Sequence, residues 1–522
     1  MYCDGIRAFI FMEEKIQDKT SFSTRRIAKN TVMLYFRQIL IMVVSLYTVR
    51  VVLNTLGAED YGIYNVVAGV VTMFSFLSGA MATASQRYFS FALGQDDESQ
   101  LRRYFSMSLT IYCMIALVVV VIAETFGLWF VGSRLVVPVE REHAAFWVYQ
   151  AAVFSAVCTI VTAPFMASII AHEDMNIYAY VSVVEVLLKL GVVLLLPLFP
   201  ADRLVVYGLL TAGVVFVNTA MYRGICARRY AECRFSLFWD KGLFKELVSY
   251  TGWNLFGASV GVLKNQLVNV MLNQFFSPVV NAARGIAFQV NGAVNSFSQG
   301  FSTAVRPQII KSYAGGNKEE MLALMYRSCK ATFFLMYVFT LPLSLEMPYV
   351  LGLWLGNVPE YAVLFTRLAL LDALIDSVSY PLMAAAQATG RIGLYQSVVG
   401  GVLLLNAPVS YLVLKLGAPP YGVFAVAIGC AIIAAIARLL ILKSLIGFSV
   451  VGFSSKVIVP VATASLVALA ISLVCIRVGG QGFLRLCGTT VASVLSLGLG
   501  GFFIALTKDE RKWVLSLVKR RR

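Results

Sequence analysis

Apolar stretches of about 20 residues recur along almost the whole chain, and this feature limits what the chain can fold into. Each stretch is long enough to cross the hydrocarbon core of a bilayer as an α-helix. Since 59% of the 522 residues are hydrophobic and only 13% are charged, a water-soluble fold would lack the polar residues to cover its cores. The pattern excludes a soluble globular enzyme and a disordered chain. It predicts an all-α polytopic membrane protein.

Fourteen membrane spans are predicted, with helix breakers such as Leu56-Gly57 and Gly479-Gly480 in the short connections. The predicted spans are 31–55, 62–86, 105–131, 144–170, 177–198, 204–225, 247–275, 280–305, 329–350, 362–388, 394–416, 420–442, 455–476 and 485–506. Counts of twelve or thirteen are the alternatives, because the stretch 280–305 is rich in Asn, Ser and Gln.

The placement of lysine and arginine predicts the orientation of the chain. With a cytoplasmic N-terminus, 31 of the 43 basic residues fall in cytoplasmic segments, eight fall on the opposite side and four lie within spans. We therefore expect both termini in the cytoplasm. The net charge of +16 mostly reflects this topology. It does not indicate nucleic-acid binding, which needs a basic face on a soluble domain.

An internal repeat relates the second span to the eighth. The identities at a constant offset of 221 are Phe76/Phe297, Gly79/Gly300, Gly94/Gly315, Glu98/Glu319 and Leu101/Leu322. Six spans separate the two copies, so both cross the membrane in the same direction. Parallel repeats build two bundles with a central cavity between them.

The repeat predicts two pseudo-symmetric six-helix bundles followed by two additional C-terminal helices. The predicted domains are a cytoplasmic N-terminal tail 1–30, an N-lobe 31–226, a cytoplasmic linker 227–246, a C-lobe 247–443, two extra transmembrane helices 444–506 and a basic cytoplasmic tail 507–522.

Basic and amide side chains inside the spans predict a polar, cationic cavity. A charge within the bilayer is costly unless it faces water, a partner or a substrate. The candidate substrate-binding residues are Arg37, Arg50, Lys264, Arg284, Asn65, Asn265, Asn269, Asn291 and Asn295. The alternatives are snorkelling for Arg37 and hydrogen bonding between helices for the amides. A cationic cavity favours an anion such as phosphate or pyrophosphate.

Asp372 and Asp376 lie four residues apart on one face of the tenth span. Two like charges on one face raise each other's affinity for protons, which suits a proton or cation site and makes the pair a candidate for ion coupling. Pairing with a base on a neighbouring helix is the alternative. Glu185 and Lys189 on the fifth span have the spacing of an intrahelical ion pair.

No pattern of an enzyme is found in the sequence. It contains neither a G-x-S-x-G nucleophile elbow nor a phosphate-binding G-x-x-x-x-G-K-[ST] loop. The histidines His143 and His172 lack metal-ligand spacing. We expect no catalytic residue, no metal and no cofactor.

Residues 50–67 read RVVLNTLGAEDYGIYNVV, and the chain continues through Gln86-Arg87-Tyr88-Phe89 to Gly94. This segment resembles the opening of the polysaccharide-biosynthesis flippases, the O-antigen and exopolysaccharide translocases of the multidrug/oligosaccharidyl-lipid/polysaccharide exporter superfamily. The resemblance in organisation covers nearly the whole chain, while the distinct motif covers about the first hundred residues. Of the four basic candidates, Arg50 alone lies within the motif.

The resemblance implies a MATE-like fold of two six-helix bundles in the bacterial inner membrane, with alternating access. It implies movement of an undecaprenyl-pyrophosphate-linked oligosaccharide from the cytoplasmic to the periplasmic leaflet. The implied partners are this lipid-linked oligosaccharide, membrane lipids, a polysaccharide polymerase and glycosyltransferases. The alternatives are a cation-coupled multidrug or amphiphile antiporter of the same superfamily and, in another class, a membrane-embedded glycan polymerase.

Overall fold

The computed structural model of the chain describes residues 26–511 except for 46, 49–50, 53, 58–59, 65–66, 69–74, 135–137, 235, 237, 277, 478–479, 481 and 509. All regular secondary structure in these residues is helical, which confirms the predicted all-α class. The chain divides into two compact units, Met1–Leu255 and Phe256–Arg522, called the N-terminal and C-terminal units below. Their boundary falls inside a long helix, and the predicted domain limits stay a prediction.

The principal helices of the first half are α1 Arg26–Ser45, α2 Ser75–Gly94, α3 Glu98–Gly127, α4 Val139–Ala171, α5 Met175–Leu198 and α6 Arg203–Arg229. The boundary helix is α7, Lys241–Phe275. The C-terminal unit continues with α8 Pro278–Ala314, α9 Lys318–Leu355, α10 Ala362–Ser377, α11 Ser379–Ala388, α12 Gly393–Lys415, α13 Gly422–Ile446, α14 Val450–Arg477 and α15 Phe483–Ala505.

Eleven helices of the described residues are long and apolar enough to cross a membrane. The remaining predicted spans coincide with α2, α8 and the pair α10–α11, which do not combine the required length and hydropathy. Helix α8 is 37 residues long, so its polar residues and not its length exclude it. A polytopic helical membrane protein is thus confirmed, whereas the count of fourteen spans stays a prediction.

The turn before α3 and the turn before α9 have the same backbone geometry. Asp96 and Gly316 both adopt the left-handed region, with φ angles of 54° and 76°. The next residues, Asp97 and Asn317, each cap the following helix by accepting a hydrogen bond from the backbone N–H three residues on. The two matching turns support the internal repeat.

The matched turns are 220 residues apart, one fewer than the offset of 221 given by the sequence identities. The pairs Gly94/Gly315 and Glu98/Glu319 are therefore one position out of register with the structure. Identities between segments of similar composition can shift by one residue without losing many matches, whereas a capping position is fixed by backbone geometry.

Helices α7 and α12 approach closely at two glycines. A Cβ atom on Gly257 would lie 2.4 Å from Oε1 of Gln396, and one on Gly400 would lie 2.9 Å from the Phe256 ring. A side chain at either position would therefore have to displace the Gln396 amide or the Phe256 ring. Gly261, one turn after Gly257, has no atom within 4 Å of such a Cβ.

Two buried ion pairs attach the C-terminal segment of the chain to α9. Glu346 is fully buried and accepts from Arg485 Nε at 2.9 Å and Nη2 at 2.8 Å. Lys330 lies 3.0 Å from a carboxylate oxygen of Glu510. Lys330 lies at the start of the predicted span 329–350, and only 3% of it is exposed.

A buried carboxylate links three segments at one end of the N-terminal unit. Glu232, which follows α6, accepts from Ser168 Oγ at 3.1 Å and lies 2.6 Å from His172 Nε2. The side chain of Asn30 on α1 donates to the Glu173 carbonyl in the turn after α4. These contacts fix the start of the predicted linker against α4 and its turn.

The pKa of Glu232 gives a pH-dependent prediction. Burial raises its pKa, but the hydrogen bonds from His172, Ser168 and the backbone outweigh burial and hold it below the ordinary value of 4.5. The carboxylate therefore stabilises the fold above about pH 4.5, and this contribution is lost as the pH falls through the lowered pKa. We expect E232Q to lose about 1.5–3 kcal/mol of stability near neutral pH. Unfolding of the purified protein at several pH values should show the difference from wild type shrinking below about pH 4.5. An equal difference at pH 7 and pH 3 would contradict this assignment.

Candidate functional site

A small polar cavity of about 30 Å³ lies inside the C-terminal unit. It is enclosed by α7, α8, α10, α12 and α13, and its polar lining residues are Lys264, Asn265, Arg284, Asn291, Asp372 and Asn406. Five of these six are predicted site residues, and they come from three separate predicted spans. The fold therefore brings together the basic, amide and acidic candidates of the second half of the chain.

Arg284 is held in place by the amides of the neighbouring helix. Its Nη1 donates to the side-chain oxygen of Asn269, and its Nη2 donates to the Asn265 carbonyl at 3.2 Å. The guanidinium lies 4.3 Å from the centroid of the Phe288 ring. Only 5% of Arg284 is exposed, so a positive charge is fixed at the cavity wall.

The asparagines of α8 differ in whether their side chains are hydrogen-bonded to a neighbouring helix. Asn281 donates to the Asn269 carbonyl at 3.2 Å, and Asn295 accepts from the Tyr380 hydroxyl at 2.9 Å. Hydrogen bonding between helices, the alternative left open by the sequence, thus applies to these two. Asn291 instead lines the cavity, and its buried Oδ1 has no hydrogen-bond partner.

Lys264 and Asp372 form a loose ion pair across the cavity. The Lys264 Nζ lies 3.8 Å from Asp372 Oδ2, which is longer than a hydrogen bond. The other carboxylate oxygen, Oδ1, is buried without a hydrogen-bond partner. The sequence predicted separate roles for these two residues, substrate binding for Lys264 and ion coupling for Asp372. In the structure their side chains lie next to each other in one cavity.

Asp376 does not line this cavity and faces a different base. Its Oδ1 lies 3.4 Å from Nη1 of Arg438 on α13. Arg438 also donates to Ser379 Oγ at 2.8 Å and to the Tyr395 hydroxyl at 3.3 Å. Each aspartate is thus adjacent to a base of a neighbouring helix. Arg438, which lies near the end of the predicted span 420–442, is buried within α13.

A second polar cavity, of about 390 Å³, lies in the N-terminal unit between α1 and α5. Arg37 lines it, with its guanidinium 4.4 Å from the Tyr178 ring centroid. Glu185 also lines it and accepts from Lys189 Nζ at 2.7 Å and from Asn218 Nδ2 at 2.9 Å. The predicted intrahelical pair is therefore present. Arg50 and Asn65, the remaining candidates, lie outside the described residues.

A comparison with protein families identifies the chain. The family model described as polysaccharide biosynthesis protein matches residues 27–312, which is more than half of the chain. The chain belongs to this family. Among curated proteins, none matches this polysaccharide biosynthesis protein.

Solved structures share the fold of this polysaccharide biosynthesis protein. "Crystal structure of MATE in the bent conformation" has a TM-score of 0.71 at 12% identity and covers 81% of this chain and 96% of that chain. "Outward-facing conformation of a multidrug resistance MATE family transporter of the MOP superfamily" has a TM-score of 0.69 at 14% identity, with coverage of 81% and 96%. "MATE transporter ClbM in complex with Rb+" has a TM-score of 0.67 at 14% identity, with coverage of 82% and 96%. At these identities the likeness concerns the fold alone, and it confirms the MATE-like architecture. Family and fold together indicate a polytopic membrane protein of the polysaccharide biosynthesis family with a MATE-like fold.

One residue that lines the C-terminal cavity, Asn406, was not predicted from the sequence. Asn406 is fully buried, and neither its Oδ1 nor its Nδ2 has a hydrogen-bond partner. An amide near the middle of the apolar stretch 394–416 was the available signal. In the part of the chain that the structure describes, no group of three or more His, Cys, Asp or Glu side chains could hold a metal ion.

Proposed function

We propose that this chain is a flippase that moves an undecaprenyl-pyrophosphate-linked oligosaccharide from the cytoplasmic to the periplasmic leaflet of a bacterial inner membrane. The glycan is the repeat unit of an O-antigen, capsule or exopolysaccharide. The lipid chain stays in the bilayer while the two lobes alternate between open states. Membership of the polysaccharide biosynthesis family and the transporter fold support this class of function.

The observation that carries the proposal is the excess of basic over acidic side chains among the residues that line the two polar cavities. In the C-terminal unit, Lys264 and Arg284 share a cavity with Asp372 as its one acidic lining residue. In the N-terminal unit, Arg37 and Lys189 share a cavity with Glu185. Each set has one more positive than negative charge, which attracts an anion. Pyrophosphate suits such sites because its oxygens accept several charge-assisted hydrogen bonds.

The same charges disfavour an organic cation as the substrate. A cation entering the C-terminal cavity would meet Lys264 and Arg284, while Asp372 already lies beside Lys264. We assign the amides Asn265 and Asn291 to the polar groups of the substrate, since both line the cavity. We assign coupling to an ion gradient or to the membrane potential to Asp372, because its Oδ1 has no hydrogen-bond partner, whereas Asp376 lies 3.4 Å from Arg438.

Reconstituted transport tests the proposal directly. The purified full chain is placed in liposomes that contain a fluorescent polyprenyl-pyrophosphate-linked oligosaccharide, its monophosphate-linked counterpart or a fluorescent organic cation. We expect the pyrophosphate-linked lipid to cross fastest, with slower movement of the monophosphate form and none of the cation. Translocation is read from the glycan's accessibility to a glycosidase added outside. Movement of the cation without movement of either lipid would support the antiporter and overturn the flippase.

A further inference from the structure

The ion pair in the C-terminal cavity is incomplete on the acid side. Well-formed ammonium–carboxylate hydrogen bonds have N···O distances of about 2.7–2.9 Å, whereas Lys264 Nζ is 3.8 Å from Asp372 Oδ2. Asp372 Oδ1 is buried and bonded to no described group. The carboxylate is therefore close enough to Lys264 to neutralise it, but it is not fixed by the contact.

Unused amide atoms line the same cavity as this carboxylate. Asn406 has both side-chain polar atoms buried without a partner, and Asn291 has its Oδ1 in the same condition. The cavity volume of about 30 Å³ is enough for about two water molecules, and such a site needs several polar partners. The cavity can thus solvate a carboxylate that has lost its counter-ion.

We propose that Asp372 is an exchangeable counter-anion of Lys264, which the pyrophosphate of the substrate displaces. Lys264 changes its partner from the carboxylate to the phosphate oxygens, and Asp372 then accepts hydrogen bonds from Asn406 Nδ2, which is unpartnered, and from water in the cavity. This inference rests on the proposed flippase function and adds to it a competition between the substrate and an internal acid.

The ion pair of Asp376 with Arg438, one turn along α10 from Asp372, is held in place by further hydrogen bonds. Arg438, the partner of Asp376, makes two further hydrogen bonds, to Ser379 and Tyr395. Of these residues, none lines the cavity. A ligand in the cavity therefore has Asp372 as its direct competitor, while Asp376 influences it only through the field of its charge.

The competition predicts a gain of affinity when the acid is removed. In most molecules of the free protein, Lys264 is paired with Asp372. The apparent affinity for an anion is then the intrinsic affinity multiplied by the small fraction of molecules in which Lys264 is unpaired. Removing the carboxylate abolishes the paired state. D372N is expected to bind inorganic pyrophosphate at least about tenfold more tightly than wild type. D376N is expected to raise the affinity for pyrophosphate at most about threefold, because Asp376 does not line the cavity and is already paired with Arg438.

Isothermal titration of the purified full chain with inorganic pyrophosphate measures these affinities. A second variant, D372E, keeps the charge and lengthens the side chain towards Lys264, so it should weaken pyrophosphate binding at least about threefold. The opposite signs of D372N and D372E separate competition from misfolding, which would weaken binding in both. Equal affinities of D372N and D376N, or weaker binding by D372N than by wild type, would overturn the exchange.

The same set of proteins distinguishes this inference from the proposed function. If wild type moves the pyrophosphate-linked lipid and D372N shows no gain of affinity, the exchange is wrong and the flippase stands. If wild type moves the organic cation and not the lipid, the flippase is wrong. Absence of pyrophosphate binding to every variant overturns the exchange as well.

Discussion

K264Q is expected to move the pyrophosphate-linked lipid about 10 to 100 times more slowly than wild type. The reason is that the ammonium group of Lys264 is available to bind an anion, whereas Arg284, the other base of the C-terminal cavity, already donates to Asn269 and Asn265. Glutamine has a similar length but no charge, and a hydrogen bond from a charged donor contributes about 1.5–3 kcal/mol. The rate is measured in liposomes, and the protein level in each preparation is matched.

Three further variants show whether the loss comes from the charge of Lys264. K264R keeps the charge and should retain most of the transport. R367Q removes a base from the exposed face of α10, where Arg367 donates to the Ser344 carbonyl, and should transport like wild type. The double variant K264Q/D372N relieves the acid left unpaired by K264Q, so it should recover stability without recovering transport. Normal transport by K264Q at equal protein level would show that the cationic cavity is not used.

The largest loss of stability is expected for E346L. Glu346 is fully buried and makes a bidentate contact with Arg485 on α15. Removing one member of a buried pair leaves the other charge without its counter-ion, at a cost of about 3–5 kcal/mol. Chemical unfolding of the purified chain in detergent measures the change in free energy.

A second substitution tests the cause of this loss. E346L/R485M replaces both charges by apolar side chains of similar size and should recover most of the stability, because no buried charge is left. E346Q is the milder variant and should lie between wild type and E346L. A double variant as unstable as E346L would mean that packing around Glu346, and not its charge, holds the C-terminal helices to α9.

The sequence predicted those parts of the structure that depend on local composition. Hydropathy over about 20 residues located the helices. Asn281, Arg284, Asn291 and Asn295 lie three, seven and four residues apart, which is the spacing of one helical face, and they located the polar face of α8. Lys264 and Arg284 could be selected because a charge within a span has few explanations. These inferences need only the residues of one helix.

Contacts between helices could not be predicted in the same way. Glu346 and Arg485 are 139 residues apart and Asp376 and Arg438 are 62 apart, so their pairing depends on which helices become neighbours. The sequence therefore could not identify the partners of Arg438, which the fold buries. It could offer only two alternatives for Asp376, because the base that faces it lies on another helix.

The matching turns before α3 and α9 bear on how the chain arose. A half-length ancestor whose gene was duplicated and fused would leave the same left-handed turn in both halves, as Asp96 and Gly316 show. Glycine adopts this conformation without steric cost, whereas aspartate is strained there. The second half thus has the residue that the turn favours, and the first half has the same turn with a different residue. In such a history the backbone of a duplicated unit is inherited more faithfully than its side chains.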